Sequence, residues 1–154
     1  LVDAGLVYKV PRCTKPALPL PVYEDLSAFK LYLLDIGLLG AMVDVEAVQV
    51  LLANNIFSEY KGGMTEEYVL QQITSHQQKQ IYYHNSDSSR LEIDFLIQRN
   101  ARLLPIEVKA EGNVRANSLS RLLSENEELT AIRYSMLPYK EQGQLTNVPL
   151  YAVW

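Results

Sequence analysis

The chain has 154 residues, of which 48% are hydrophobic and 21% charged, a composition typical of a soluble globular protein with one good core. Its net charge of -4 excludes a bulk positive field that would draw the chain to nucleic acid, so such a contact needs a local basic patch. The single cysteine excludes an internal disulfide and a cysteine zinc cluster, and it fits a cytoplasmic protein.

The first 60 residues predict a small N-terminal appendage. Its first strand leads into a connection in which four prolines forbid regular structure, and two glycines weaken the first of its helices. A hinge or turn at Gly62-Gly63 sets the boundary between this unit, 1–60, and a main domain, 61–154. The predicted elements of the appendage are strands over 5–10 and Phe29–Leu34 and helices over Ile36–Val43 and Val45–Asn54.

The main domain begins with a predicted helix over Thr65–Gln78, for which Thr65 is a suitable N-cap. The elements that follow are a strand over Gln80–His84, two strands between Ile93 and Ala110, an amphipathic helix over Val114–Glu125 with a leucine stripe, and closing strands over Ala131–Met136 and Leu150–Trp154. Antiparallel neighbours followed by a helical crossover predict an α/β fold, in which helices flank a mixed central β-sheet.

Three absences in the sequence limit the function. There is no signal peptide and no apolar run long enough to cross a membrane, so no membrane partner is expected. The phosphate-binding pattern G-x-x-x-x-G-K-[ST] is absent, so ATP is not expected to bind this part of the chain. The chain opens on Leu1 and reads at once like the middle of a structured region, so we expect it to be a fragment of a longer protein.

An apolar segment over residues 93–110 carries three ionised side chains at strand positions, Asp94, Glu107 and Lys109. Glu107 and Lys109 are two residues apart, and residues i and i+2 of a strand point to the same face. A two-residue turn at Asn100-Ala101 pairs residues whose numbers sum to 201, which places Asp94 opposite Glu107. The opposite face then reads as a core surface made of Ile93, Phe95, Ile97, Ile106, Val108 and Ala110.

The predicted pairing brings two carboxylates together. Opposed residues have Cβ atoms about 5 Å apart, so Asp94 and Glu107 repel each other unless a cation or a proton lies between them. Oxygen ligands of this kind suit Mg²⁺ or Mn²⁺, which predicts a metal site with Lys109 beside it. Two features leave the register open: Ala101 suits a primed turn less well than Gly, and Pro105 can mark a bulge that shifts the pairing by one.

The first helix of the main domain offers a third acid. At about 100° per residue, Glu66 falls in the middle of the apolar stripe and Glu67 falls beside it. Burying an unpaired carboxylate is costly, so a buried Glu66 is expected to take a proton or to find a cation. If the helix packs on the sheet, Glu66 can reach the side that carries Asp94 and Glu107. The alternative is an exposed acid in the first turn of the helix. The stripe consists of Val69, Leu70 and Ile73.

Five segments in this order resemble a known domain of unknown function, which typically forms the C-terminal part of prokaryotic AAA-type ATPases. The acid on a helix, the Asp on one strand and the Glu-x-Lys on the next also resemble the PD-(D/E)XK nuclease-like superfamily, which has the restriction-endonuclease-like fold. The five segments are Phe29-Lys-Leu-Tyr-Leu-Leu-Asp-Ile-Gly-Leu-Leu39, Gly63-Met-Thr-Glu-Glu-Tyr-Val69, Glu92-Ile-Asp-Phe95, Pro105-Ile-Glu-Val-Lys109 and Asn117-Ser-Leu119.

The resemblance implies that an ATPase region precedes this chain and that residues 1–60 are the tail of a winged-helix-like region. It also implies that Asp94 and Glu107 bind one or two divalent metal ions, Mg²⁺ or Mn²⁺, and that Glu66 adds a metal contact. In phosphodiester hydrolysis a metal ion activates water and offsets charge on the phosphate oxygens. Lys109 is then expected to orient water or to stabilise the developing negative charge.

Two functions from different classes stay open on the sequence alone. The first is a metal-dependent nuclease that hydrolyses phosphodiesters of DNA or RNA. The second is a non-catalytic nuclease-like module that serves the ATPase in a structural, regulatory or partner-binding role, since a fold does not fix an activity. The candidate partners are therefore the upstream ATPase region and nucleic acid, and the sequence also leaves an oligomer open.

Overall fold

A computed structural model describes residues 1–43, 58–76, 80–86, 91–110 and 117–153 of the chain. These residues form eight strands, three α-helices and two short 3₁₀ turns. The helix predicted over Val45–Asn54 lies outside the described residues. The strands are β1 (Val7–Cys13), β2 (Glu24–Leu33), β3 (Tyr82–Asn85), β4 (Glu92–Arg99), β5 (Arg102–Lys109), β6 (Ala131–Ser135), β7 (Lys140–Gln142) and β8 (Leu145–Pro149), and the helices are α1 (Ile36–Val43), α2 (Ser58–His76) and α3 (Asn117–Ser124).

The eight strands form one mixed sheet in the order β2-β1-β3-β4-β5-β6-β8-β7. Neighbours are parallel at β1–β3, β5–β6 and β6–β8 and antiparallel elsewhere. The prediction of an α/β fold with a mixed central sheet and packed helices is therefore confirmed. Strands β1 and β2 of the predicted appendage belong to the same sheet as the main-domain strands. The division into 1–60 and 61–154, the winged-helix-like appendage and the restriction-endonuclease-like fold stay predictions.

Two hydrophobic clusters cover opposite faces of the sheet. Leu96 and Ile97 are adjacent on β4 and belong to different clusters, as the alternation of side chains along a strand requires. Helix α2 contributes Val69, Leu70 and Ile73 to the first cluster. Helix α3 contributes Leu119, Leu122 and Leu123 to the second, as the predicted leucine stripe requires. The two helices therefore pack on opposite faces of the sheet.

Helix α2 begins earlier than predicted. It starts at Ser58 and runs through Gly62-Gly63, so the predicted hinge or turn at the two glycines is wrong. Thr65 is not the N-cap, because its hydroxyl donates to the carbonyl of Lys61 within the helix at 2.6 Å. Each glycine costs a helix about 1 kcal/mol relative to alanine, which packing of the apolar face overrides. At 19 residues α2 is the longest described helix, and no described helix is long and apolar enough to cross a membrane.

The end of the chain differs from the prediction of a closing strand over Leu150–Trp154. The final strand is β8, and residues Leu150–Ala152 form a 3₁₀ turn. Strand β7 lies in the predicted loop, and it turns back to β8 through Gly143, whose φ of 62° favours glycine. Sequence alternation is weak in such short strands, so the hairpin is set by its turn and by pairing with β6.

Candidate functional site

The β4–β5 hairpin follows the predicted register. Its paired residues run from Phe95–Ile106 to Arg99–Arg102, and the numbers of each pair sum to 201. Asn100 and Ala101 form the two-residue turn with φ of 50° and 58°, as a primed turn requires. Pro105 stays in the ladder without shifting the pairing. The turn chemistry and the alternation of the two strands therefore set these five pairs as predicted. The ladder ends at Phe95–Ile106, so the predicted pair of Asp94 and Glu107 is not part of it.

A β-bulge in β4 changes the direction of the side chains at Asp94. The pairing with β3 shifts by one at this point, so Tyr83 alone lies opposite both Asp94 and Phe95. As a result Ile93 packs in the cluster of α3, whereas Phe95 packs in the cluster of α2. The predicted core face that joined Ile93 to Phe95 is wrong, because the bulge depends on β3 and not on the hairpin itself.

The Asp94 carboxylate lies partly buried at this bulge. Its Oδ2 accepts a hydrogen bond from the backbone N–H of Val108 at 2.7 Å. Burial raises the pKa of Asp94 to about 7, and the negative charge of Glu66 adds to the rise. The Val108 N–H and the ammonium groups of Lys109 and Lys30 lower the pKa in turn, without cancelling the rise. Asp94 therefore exchanges between its protonated and ionised forms near neutral pH.

Glu66 projects from α2 and is partly buried. Its Oε2 accepts the O–H of Tyr32 at 3.0 Å and lies 3.8 Å from Nζ of Lys30. The same ammonium lies 3.5 Å from Oε1 of Glu92, so Lys30 links two acids. Glu66 is close enough to Asp94 for its charge to raise the pKa of that carboxyl.

Glu107 is held by two cations of the chain. Its Oε2 accepts the Nε–H of Arg133 at 2.9 Å, and its Oε1 lies 3.3 Å from Nζ of Lys109. Glu107 and Arg133 are each only 6% exposed, and they are register partners in the parallel pair of β5 and β6. Both carboxylate oxygens of Glu107 therefore face positive charge supplied by the protein itself.

The predicted metal ligands do not share one coordination point in this arrangement. Among the residues that the structure describes, no three His, Cys, Asp or Glu side chains lie close enough together to hold a metal ion. A metal ion at Glu107 would have to displace Arg133 or Lys109 from the carboxylate oxygens. As arranged, Glu66, Asp94 and Glu107 do not fit a single divalent ion, and their assignment as ligands stays a prediction.

Arg133 is the site residue that sequence reasoning missed. It lies in the centre of the apolar segment Ala131–Ser135, and an ionised side chain at such a position is the same signal that singled out Glu107. Its partner Glu107 could not be predicted from the distance between the two residues in the sequence. Strands β5 and β6 pair in parallel and are separated along the chain by α3.

A second acid of α2 is more deeply buried than Glu66. Glu67 is 4% exposed, and its Oε1 is the one fully buried side-chain nitrogen or oxygen without a hydrogen-bond partner among the described residues. Burial raises the pKa of Glu67, and the charge of Asp35 adds to the rise, while a hydrogen bond from the Leu33 N–H opposes it. The position of Glu67 beside the apolar stripe was its only signal in the sequence.

A family model matches residues 61–151, which is more than half of the chain. The chain belongs to the family of the domain of unknown function DUF4143. The resemblance to a domain of unknown function is thereby confirmed. No curated protein matches the chain at a significant level.

The DUF4143 match contains the hairpin, α3, strands β6–β8 and all of α2 from Lys61 onward. All four predicted site residues and Arg133 lie within it. Strands β1 and β2 lie outside the matched residues, although β2 supplies Tyr32 and Lys30 to Glu66. The environment of Glu66 therefore extends beyond the part of the chain that the family model covers.

Replacing Glu67 with Gln is expected to stabilise the DUF4143 domain. The raised pKa means that folding favours the protonated carboxyl, so the cost of its charge grows as the pH rises above the ordinary pKa of 4.5. Gln keeps the size and polarity of the side chain and carries no charge, so Glu67→Gln should raise the free energy of unfolding at pH 8 and raise it less at pH 4. Urea denaturation at both pH values measures the difference.

The matched control is Glu66→Gln on the neighbouring residue. Glu66 is partly exposed, accepts the O–H of Tyr32 and has Lys30 beside it, so neutralising it should give no comparable gain. A Glu67→Gln variant less stable than the wild type at pH 8 would contradict the prediction.

Proposed function

We propose that the DUF4143 domain is a nuclease-like module without hydrolytic activity of its own, which gives an AAA-type ATPase a structural, regulatory or partner-binding domain. The observation that supports this is the buried pair of Glu107 and Arg133, with Lys109 on the other carboxylate oxygen. Two cations of the chain thus contact the carboxylate of Glu107, one of the acids that the resemblance assigns to a metal ion. The guanidinium stays charged at any pH the protein meets, so deprotonation does not free Glu107.

The nuclease-like part of this proposal is supported by the order of the described elements. The core runs α2, β3, β4, β5, α3 and β6, with an acid on the helix, Asp94 on β4 and Glu107-x-Lys109 on β5. This order matches what the resemblance to the restriction-endonuclease-like fold implies. The ATPase part is supported by the family, whose members commonly stand at the C-terminus of AAA-type ATPases.

A cleavage assay tests the absence of hydrolytic activity. Single-stranded DNA, duplex DNA and RNA are incubated with the wild type in millimolar Mg²⁺ or Mn²⁺, beside an Asp94→Asn variant purified in the same way. We expect no cleavage above that of the variant, because Glu107 is not available to a metal ion. Cleavage by the wild type that both Asp94→Asn and Lys109→Ala abolish would overturn the proposal.

A binding assay tests whether the domain interacts with the ATPase region. Residues 1–154 are titrated into the separately produced ATPase region of the same protein, and complex formation is followed by calorimetry and by the rate of ATP hydrolysis. We expect a complex or a changed rate. If no complex forms and the rate of ATP hydrolysis does not change, the domain does not have the proposed role.

The second candidate function is a metal-dependent phosphodiesterase, which the environment of Asp94 favours. Its raised pKa and the nearby charge of Glu66 mean that the pair would gain from a cation between them. Calorimetric titration with Mn²⁺ against wild type and Asp94→Ala tests this candidate. Binding that the substitution abolishes, together with a Lys109→Ala variant that retains binding and loses cleavage, would favour this function over the first.

A further inference from the structure

A pocket of about 430 Å³ lies between helix α3 and strands β6, β7 and β8, and Asp94 is not among the residues that line it. Its volume falls in the range of small-molecule sites. Polar side chains from three elements line it, namely Ser120 and Ser124 of α3, Arg133 of β6 and Gln142 of β7. Arg133 lies at its base, since it is buried while the other three are exposed.

Two nitrogens of Arg133 have no hydrogen-bond partner among the residues that the structure describes. Its Nε donates to Glu107, and no described residue accepts a hydrogen bond from Nη1 or Nη2. Glu67 Oε1 is the one fully buried side-chain polar atom without a partner among the described residues, so Nη1 and Nη2 keep a small contact with solvent. Because Arg133 lines the pocket, these donors are reached from it. Guanidinium N–H groups that face a pocket and have no acceptor among the described residues are available to donate to a ligand.

Two cations share one carboxylate beneath the pocket. Arg133 and Lys109 contact the single carboxylate of Glu107, so two cations and one anion leave this trio with a net charge of +1. Asp94 also acts on Lys109, and it has no ion pair with Arg133. A ligand with negative charge at Arg133 would therefore offset the excess positive charge of the trio.

Two further donors stand free at the pocket. Ser120 and Gln142 make no hydrogen bond to any described residue, whereas Ser124 donates to the carbonyl of Arg121 and Gln144 donates to backbone carbonyls after α3. A hydroxyl and an amide beside a guanidinium fork suit a tetrahedral oxyanion.

We propose that this pocket binds a phosphate group, whose oxygens accept from Nη1 and Nη2 of Arg133 and from Ser120 and Gln142. The group is either free inorganic phosphate or the terminal phosphate of a nucleic acid strand, which share this chemistry. Arg133 would donate to the phosphate through Nη1 and Nη2 and to Glu107 through Nε. Binding of phosphate in the pocket is therefore coupled to the buried ion pair. The proposal requires no hydrolytic activity and goes beyond the proposed function.

Calorimetric titration at low ionic strength tests the site, with inorganic phosphate as the first probe. Ser120→Asp places a carboxylate at the pocket while leaving Arg133 intact, and it should weaken phosphate binding by about tenfold or more. Ser75→Asp is the matched control, because it makes the same change at an exposed serine of α2 outside the pocket and should bind as the wild type does. Gln142→Lys adds a cation at the rim and should tighten binding about threefold.

A 5′-phosphorylated oligonucleotide and its unphosphorylated form distinguish the two sources. Tighter binding of the phosphorylated strand than of phosphate and of the unphosphorylated strand assigns a strand end, and equal affinity for phosphate and phosphorylated strand assigns free phosphate. The proposal is overturned if neither phosphate probe binds, if Ser120→Asp and Ser75→Asp bind alike, or if the strand binds equally well without its phosphate.

Discussion

Replacing Arg133 with Met is expected to destabilise the domain by about 3 kcal/mol, because it leaves the Glu107 carboxylate buried beside Lys109 alone. Removing one partner of a buried ion pair costs roughly 3–5 kcal/mol, and Lys109 at 3.3 Å offsets part of this cost. Urea denaturation at neutral pH measures the loss. The double variant Glu107→Met with Arg133→Met removes both charges, and it should recover most of the stability, since packed apolar residues often replace a buried pair at little cost.

Arg121→Met is the matched control for the loss of an arginine. Arg121 lies on the exposed surface of α3, where its Nε is 3.1 Å from Oε1 of Glu125. Such exposed pairs contribute roughly 0.3–0.5 kcal/mol, so this variant should remain close to the wild type. A cost at Arg133 no larger than that at Arg121, or a double variant less stable than Arg133→Met, would show that the buried pair does not hold β5 to β6.

The ion pair of Glu107 and Arg133 matters for function because it determines whether Glu107 can bind a further cation. A carboxylate that two cations of the chain already neutralise has little to gain from a further cation. The same pair orients Arg133, whose remaining donors line the pocket below α3. The more strongly Arg133 binds Glu107, the less readily Glu107 can bind a metal ion.

Local signals predicted the hairpin well. A two-residue turn and alternating apolar positions are both contained in a short segment, so the register from Phe95–Ile106 to Arg99–Arg102 followed from the sequence. The stripes of α2 and α3 were also local, since helical spacing alone defines them. The family resemblance rested on five separate segments, and the family match covers four of them.

The parts of the site that sequence reasoning missed depend on contacts between distant segments. The bulge at Asp94 exists because β3 pairs on the far side of β4 with one residue fewer. Arg133 meets Glu107 because β5 and β6 are parallel neighbours, which no spacing between them encodes. Glu67 is buried more deeply than Glu66 because α1 and the end of β2 cover its side of α2, where Asp35 and Leu33 lie beside it.

Replacing Asp94 with Asn is expected to stabilise the domain above neutral pH by roughly 2–4 kcal/mol, from the rise of its pKa from 3.8 to about 7. A carboxyl whose pKa is raised by folding binds its proton more tightly in the folded state. The stability of the wild type therefore falls as the pH rises from about 4 to about 7 and changes no further through this group above that window. Asn keeps an oxygen that can accept the Val108 N–H, and it carries no charge. The stability of the variant therefore does not fall over this pH range through position 94.

The measurement is urea denaturation of both proteins across this pH window, with NMR titration of the Asp94 carboxyl as a direct reading of its pKa. Asp25→Asn is a control of opposite sign, because hydrogen bonds from Ser27 and the nearby Arg12 lower the pKa of Asp25 to about 2. That variant should lose stability above about pH 4 and match the wild type in stronger acid. A stability difference at Asp94 that does not change with pH would contradict the prediction.

Repeating the Asp94 measurement in millimolar Mn²⁺ separates the two candidate functions. A divalent ion bound at Asp94 would favour the ionised carboxylate, so it would stabilise the wild type at high pH and leave Asp94→Asn unchanged. The difference in free energy of unfolding between the two proteins would then become smaller. The non-catalytic module is expected to show the full gap with and without the metal, because Arg133 and Lys109 hold Glu107. In that case a proton neutralises Asp94 at lower pH, and Lys30 offsets the charge of Glu66.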